Sequence, residues 1–281
     1  MFLERDGFQL FYTTLGNGPD VVLLHPTPTH HAFWLPVARL LADRYRLTLV
    51  DLRGHGQSIA VPGPIAAPIT MQQLAEDVHA ILQALKIGRA AFAGCSIGSY
   101  VLYEYWRRFP EQVAALVLTC GKPQPDTEEN RERRREWMAA AQRTGGLAKF
   151  FGSMADTLVG ATAQREQPAV RAAARNMMSS VTLDAMLAIQ QGLAIRPDSV
   201  PTLPTIDVPV CAIAGGEDQS STPPEMRVIA DKVPGAEFHL LQDAGHYAPL
   251  EQPERVAGLI GKFLDEQYAS PEKIRARREA H

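Results

Sequence analysis

Short, unbroken apolar runs recur along the chain and alternate with longer stretches whose apolar positions return every three or four residues. VVLLH (Val21 to His25), LTLVD (Leu47 to Asp51), AAFAG, VAALVLTC and VPVCAIAGG are the runs, and each predicts a strand buried on both faces. FQLFYTTLG alternates weakly and predicts a strand ahead of the turn LGNGPD, and AEFHLLQDAGH predicts one near the end of the chain. Between them, LPVARLLADR, MQQLAEDVHAILQALKI, IGSYVLYEYWRRF, PPEMRVIADKV and PERVAGLIGKFLDEQY carry the stripe of amphipathic helices. In the second of these the stripe is Leu74, Val78, Ile81, Leu82 and Leu85. Strand alternating with helix predicts right-handed crossovers and a mostly parallel, doubly wound α/β sheet.

The alternation stops near Gly121. From Pro123 to Ile206 the chain is charged, rich in Ala and Met, and without a strand-like run; RERRREW and VRAAARNMM read as helices. The predicted organisation is a core of residues 1–122 and 207–268, an inserted helical cap of residues 123–206, and a charged C-terminal tail of residues 269–281.

Length and composition narrow the function classes. A chain of 281 residues can bury a large core without staples. A net charge of −3 argues against nucleic acid, which wants a basic face. Cys95, Cys120 and Cys211 are widely spaced, which fits a reducing compartment and no disulfide framework. The beginning, MFLERDGFQLFY, has no apolar core of a signal peptide, and no run reaches the length of a membrane span. A soluble cytoplasmic protein, monomer or homodimer, with a small-molecule substrate and no nucleic-acid or membrane partner is expected.

One stretch points to chemistry. In Gly94-Cys95-Ser96-Ile97-Gly98 a serine lies between glycines, after a buried strand and before a helix. That context suits a sharp turn that pushes a hydroxyl out of the sheet edge, with the Ile97 N–H aimed at it from a helix N-terminus. The plain alternative is a glycine-rich turn with a capping serine. A serine hydroxyl needs a base, and the base needs an acid. Of the histidines after Ser96, His239 lies within an apolar run and His281 ends the chain. His246 sits in a loop after a predicted strand, where parallel sheets place their sites. Glu217 and Asp218, at the end of the preceding strand, both offer a carboxylate; Asp243 lies too near His246 in sequence and reads as a turn residue.

With these positions in place, the chain resembles the α/β-hydrolase fold family over nearly its whole length. VVLLHPTP, LTLVDLRGHGQS, AFAGCSIGS, VPVCAIAGGEDQSSTPP and DAGHYAPLEQPERV carry the resemblance, in the family's order. It is most similar to the small-ester hydrolase and 3-oxoadipate enol-lactonase branch, which implies a serine hydrolase of small carboxylic esters or lactones working through an acyl-enzyme. The resemblance implies Ser96 as nucleophile, Asp218 as acid and His246 as base. It implies Thr27 as the second oxyanion donor beside Ile97, although HPTPT stands where relatives often have His-Gly. Ser99-Tyr100 also departs from a common second glycine after Gly98. An aspartate nucleophile, as in haloalkane dehalogenases and epoxide hydrolases, does not match Ser96. The same residues could serve carbon–carbon bond hydrolysis, perhydrolysis or cyanohydrin cleavage, or the fold could be a non-hydrolytic binder.

Other features have plainer readings. RGHGQS lacks the third glycine of a dinucleotide loop, with Ile59 in its place, and no cofactor is expected. Cys95 sits where the turn directs its side chain into the wall. His30 and His31 have no further ligand at metal spacing, so no metal is expected; His30, with Thr29, is a candidate to touch substrate. Trp34 reads as core, and Arg131 to Arg135 as a solvated helix face or an attractor of anions. Trp137 and Met154 are the cap residues expected to face substrate, among Met138, Phe150, Phe151, Met177, Met178 and Met186, and they favour a modest apolar group.

Overall fold

The computed structural model describes residues 1–61, 65, 67–144 and 146–268. The predicted tail, 269–281, lies outside the described residues. The strands are β1 (Phe2–Arg5), β2 (Phe8–Leu15), β3 (Asp20–Leu24), β4 (Arg46–Val50), β5 (Ile59–Ala60), β6 (Ala90–Cys95), β7 (Val113–Thr119), β8 (Val210–Gly215) and β9 (Glu237–Leu241). They form one sheet in the order β1-β2-β4-β3-β6-β7-β8-β9, with β5 on β2. The pairs from β4 to β9 are parallel, and β2 meets β1, β4 and β5 antiparallel.

The expected apolar runs are the central strands. In β6 and β7 every residue is buried, as a parallel strand covered on both faces requires. The weak alternation of FQLFYTTL belongs to β2, whose one face is only half covered. β1 and β5 were not anticipated; FLER alternates between exposed and half-buried positions, and Ile59–Ala60 is only a short edge pair.

The helices between strands are α1 (Leu35–Leu41), α2 (Met71–Ala84) and α3 (Ile97–Arg108). Thr70 starts α2 with a capping box: its hydroxyl accepts the Gln73 N–H at 3.2 Å, and Gln73 Oε1 accepts the Thr70 N–H at 2.9 Å. A 3₁₀ turn, His31–Trp34, precedes α1 and buries Trp34 completely. Between β7 and β8 run α4 (Glu128–Thr144), α5 (Ala148–Leu158), α6 (Ala161–Glu166), α7 (Pro168–Met178) and α8 (Leu183–Ala194), with no strand among the described residues there. The chain closes with α9 (Pro223–Lys232), α10 (Ala248–Glu251) and α11 (Pro253–Gln267). α1 packs on α11 and α2 on α3, and these pairs flank the sheet. Among the described residues no helix is long and apolar enough to cross a membrane.

Strand order reverses at β3, which has β4 on one side and β6 on the other. Loops leaving β3 and β6 diverge there and open a crevice at the carboxyl ends of the strands. The HPTPT loop and Ser96 both stand at that point.

Candidate active site

β6 ends in a turn that only a tightly fitted backbone sustains. Ser96 has φ 54° and ψ −115°, a region that non-glycine residues seldom adopt. Its N–H still donates to the Thr119 carbonyl at 3.0 Å, so pairing with β7 continues into the turn. Its carbonyl accepts the N–H groups of Ser99 (2.9 Å) and Tyr100 (3.1 Å), so α3 begins at once. The glycines let strand and helix approach: a Cβ on Gly94 would lie 2.5 Å from the Gly98 carbonyl carbon, and one on Gly98 2.3 Å from the Leu24 oxygen. Ser96 stays 7% exposed at the floor of the crevice.

Two further loops bring an acid and a histidine to the same end of the sheet. Asp218 follows β8, and its Oδ2 accepts a hydrogen bond from His246 Nδ1 at 2.8 Å. Its Oδ1 accepts the N–H groups of Ser220 (2.7 Å) and Ser221 (3.0 Å), which fixes the carboxylate plane. A proton on Nδ1 leaves Nε2 with its lone pair free. Of the two neighbouring carboxylates it is Asp218 that meets His246; Glu217 turns to the helical segment, accepting from the N–H (2.9 Å) and hydroxyl (2.6 Å) of Thr162.

Cys95 ties the serine turn to the histidine loop. Its thiol donates to the His246 carbonyl at 3.5 Å, and that of Cys120 to the Gly245 carbonyl at 3.7 Å. Both are fully buried, and burial is the largest cause of the raised pKa of Cys95. Such a thiol is a poor source of thiolate.

The HPTPT loop is held from below by two buried histidines. His25 donates from Nδ1 to the Pro26 carbonyl (2.9 Å) and accepts the Leu52 N–H on Nε2 (2.9 Å). His55 donates from Nδ1 to the Arg53 carbonyl (3.2 Å), and its Nε2 accepts the Thr27 hydroxyl (2.9 Å). Burial drives both imidazoles down, His25 to about 3 and His55 to about 4, so both are neutral near pH 7. The Tyr247 hydroxyl donates to the Thr27 carbonyl at 3.2 Å. With its hydroxyl and carbonyl engaged, Thr27 keeps its N–H; among the described residues neither that N–H nor the N–H of Ile97 has an acceptor.

Several expectations change here. Thr29 does not face the crevice: it is fully buried and its hydroxyl donates to the Pro26 carbonyl at 2.7 Å, so it braces the loop. His30 is half-buried, caps the 3₁₀ turn by accepting the Ala32 N–H (3.3 Å), and packs on His31. A carboxylate does meet His30 and His31, because β4 delivers Asp51 from twenty positions along the chain. Its oxygens already accept the His31 N–H (2.6 Å), His31 Nδ1 (2.8 Å) and the Gln57 N–H (2.8 Å). A second group, Cys211, Glu237 and His239, has its imidazole bonded to its carboxylate at 3.1 Å.

Trp137 and Met154 both line a cavity of about 360 Å³ beside the site, with Tyr100, Lys122, Arg133 and Gln219. Phe151, Met177, Met178 and Met186 are buried in the packing of the helical segment instead. Arg131 to Arg135 is not wholly a solvated face: Arg134 binds Asp126 at 2.5 Å, and the buried Arg196 binds the other oxygen of Asp126 at 2.6 Å. Asp126, His55, Tyr247 and Glu251 were missed. Each has at least one partner far away in the chain, Arg196 for Asp126, Thr27 for His55 and Tyr247, and Gly160 for Glu251, and that pairing is not written in the local sequence.

Residues 21–259 match the model of the alpha/beta hydrolase family. The pimeloyl-[acyl-carrier protein] methyl ester esterase of Methylococcus capsulatus is 30% identical over 262 residues, spanning 91% of this chain and 98% of that protein. The structure of a thermophilic esterase from Thermogutta terrifontis superposes with a TM-score of 0.86 at 32% identity, over 92% of this chain and 94% of that one. The enol-lactonase from Burkholderia xenovorans superposes with a TM-score of 0.85 at 26% identity, over 94% of this chain and 99% of its own.

Proposed function

This chain belongs to the alpha/beta hydrolase family and is a carboxylic ester hydrolase, and we propose that it cleaves small esters or lactones through an acyl-enzyme on Ser96. The observation that carries the reading is the 2.8 Å bond from His246 Nδ1 to Asp218 at the same sheet end as the strained Ser96. His246 Nε2 takes the hydroxyl proton as Ser96 Oγ attacks the ester carbonyl. The free N–H groups of Ile97 and Thr27 hold the oxyanion, and the N-terminus of α3 adds its partial positive charge. The imidazolium, steadied by Asp218, then protonates the leaving alcohol. Water, activated by the same Nε2, releases the acid and restores Ser96.

The helices between β7 and β8 act as a cap over this chemistry. The adjoining cavity favours a polar substrate over the modest apolar one expected from Met and Trp content. Lys122, Arg133, Arg134 and Arg196 line it; Asp126 binds both Arg134 and Arg196, Lys122 is paired with Glu225 at 2.7 Å, and Arg133 is the lining cation without an ion pair among the described residues. A short ester that carries an anionic group fits that balance better than a long alkyl ester.

Ser96→Ala tests the reading. Hydrolysis of p-nitrophenyl esters is expected to disappear while the variant remains folded; turnover retained by a pure variant overturns it. A p-nitrophenyl hemisuccinate is expected to be a better substrate than the butyrate, and the reverse order overturns the polar preference.

A further inference from the structure

Glu251 closes α10, is 2% exposed, and takes no part in the steps above. Among the described residues its carboxylate meets amides instead of a cation. Oε2 accepts the N–H groups of Gly245 (2.8 Å) and Gly160 (3.1 Å), and Oε1 accepts that of Tyr247 (3.1 Å). The amides directly before and after His246 thus end on one carboxylate. The third amide comes from the junction between α5 and α6, in the helical segment over the site.

The junction fits tightly. A Cβ on Gly160 would lie 2.5 Å from Glu217 Oε2, 2.6 Å from the Gly245 nitrogen and 2.8 Å from Glu251 Oε2. The His246 N–H itself donates to the Leu158 carbonyl, at the end of α5, at 2.9 Å.

We propose that Glu251 is a positioning residue for His246 and a proton-operated latch. Ionised, it holds the imidazole loop against the α5–α6 junction; protonated, it gives up at least one amide and lets the junction part from the loop. The inference rests on the reading of His246 as the base. The chemistry of the group dictates the direction. A carboxylate offers lone pairs to three amides, whereas a carboxylic acid turns one oxygen into a donor, which must face an N–H. Burial, the largest cause, raises the pKa of Glu251 to about 7, the three amides pull it back, and the like charge of Glu217 pushes it up. Proton uptake therefore falls near neutrality.

The other groups around it have been placed. Glu217 comes from the loop after β8, and Arg165 of α6 interacts with Glu217 and with Asp243 of the histidine loop. Cys95, at the end of β6, interacts with both Asp218 and Glu251, and Tyr247 with Cys95 and Glu251.

Wild type, Ser96→Ala and Glu251→Gln are compared by amide hydrogen exchange across neutral pH, with rates corrected for intrinsic chemistry. In the first two, protection of segments 158–162 and 245–247 is expected to fall together as pH drops through about 7. In Glu251→Gln, which keeps one acceptor oxygen, protection is expected to be low throughout, with no step. Its kcat on p-nitrophenyl acetate above neutrality is expected to fall on the order of 10- to 100-fold, with KM changing far less. Wild-type protection and kcat in Glu251→Gln, or a surviving pH step, overturns the latch. Gly160→Ala keeps the carboxylate but crowds it, so it should lose the same protection even if Glu251→Gln does not fold; wild-type protection there also overturns the latch. Turnover by Ser96→Ala would overturn the acyl-enzyme reading of Ser96 and His246 and leave the latch standing, because the exchange step is read without catalysis.

Discussion

His55 makes stability depend on pH in a direction and amount that can be worked out. Its side chain is buried at 1% exposure, and burial is the largest cause of its fall from 6.5 to about 4. The unfolded chain binds a proton on this ring near 6.5, and the folded protein does not. Folding is thus opposed increasingly as pH falls from about 6.5 to about 4. From neutrality to pH 5 the gap spans roughly 1.5 units, or about 2 kcal/mol at 1.36 kcal/mol per unit. That figure depends on the unfolded value and hardly on how low the folded value lies. His25 adds a loss of the same sign, and Glu251, raised to about 7, works against both by taking up a proton in the folded state. The whole-protein curve is therefore a sum, and a variant must isolate one member. His55→Gln is neutral at both pH values and can still meet the Thr27 hydroxyl and the Arg53 carbonyl. Urea unfolding followed by circular dichroism at the two pH values gives the drop for each protein. The wild-type drop is expected to exceed that of the variant by about 2 kcal/mol. Equal drops, within about 0.5 kcal/mol, would refute the argument that a buried neutral imidazole supports the HPTPT loop.

Other outcomes follow from the same geometry. Gly98→Ala places a Cβ 2.3 Å from the Leu24 oxygen, so α3 must shift off β3. It is expected to cost about 1–3 kcal/mol in urea unfolding and to lower kcat by roughly 100-fold, and unchanged kcat would show that the close approach is unnecessary. Asp126→Asn leaves the guanidinium of Arg196, 3% exposed, without its counter-ion. A loss of about 3–5 kcal/mol is expected by urea unfolding; a loss below about 1 kcal/mol contradicts the reading of Asp126 as the counter-ion that compensates the buried Arg196. Asp218→Asn presents an amide to Nδ1 and favours the wrong tautomer, so kcat should fall by roughly 10⁴-fold with KM little changed. A fall of less than about tenfold would mean that another group orients His246.

The parts legible in the chain were those that write a local pattern. VVLLH, LTLVD and AAFAG stood out because a strand covered on both faces does not alternate apolar with polar residues; the buried Thr48 is the one polar side chain within LTLV. The serine turn was legible because Gly94 and Gly98 must be small for a strand and helix to touch. FLER carried no such mark, since an edge strand half exposed to water holds Glu4 and Arg5 as readily as any loop. Roles set by distant backbone groups were not legible. Glu251 and Gly160 are 91 positions apart, and what makes Glu251 a staple is a set of N–H groups that any residue type could supply. Thr29 looked available for a substrate only because its bond to the Pro26 carbonyl depends on how the loop folds back. Asp51 meets His31 for the same kind of reason: β4 runs beside β3, and the two loops leave the sheet together.

The central claim is that Ser96 becomes acylated. Rapid quenching after mixing with p-nitrophenyl acetate, followed by intact-mass and peptide mass spectrometry, reads it directly. One acetyl group per chain is expected on the peptide holding Ser96, formed with a burst of p-nitrophenol and absent from Ser96→Ala. Acetylation at Cys95 or elsewhere with Ser96 unmodified during turnover would contradict the account.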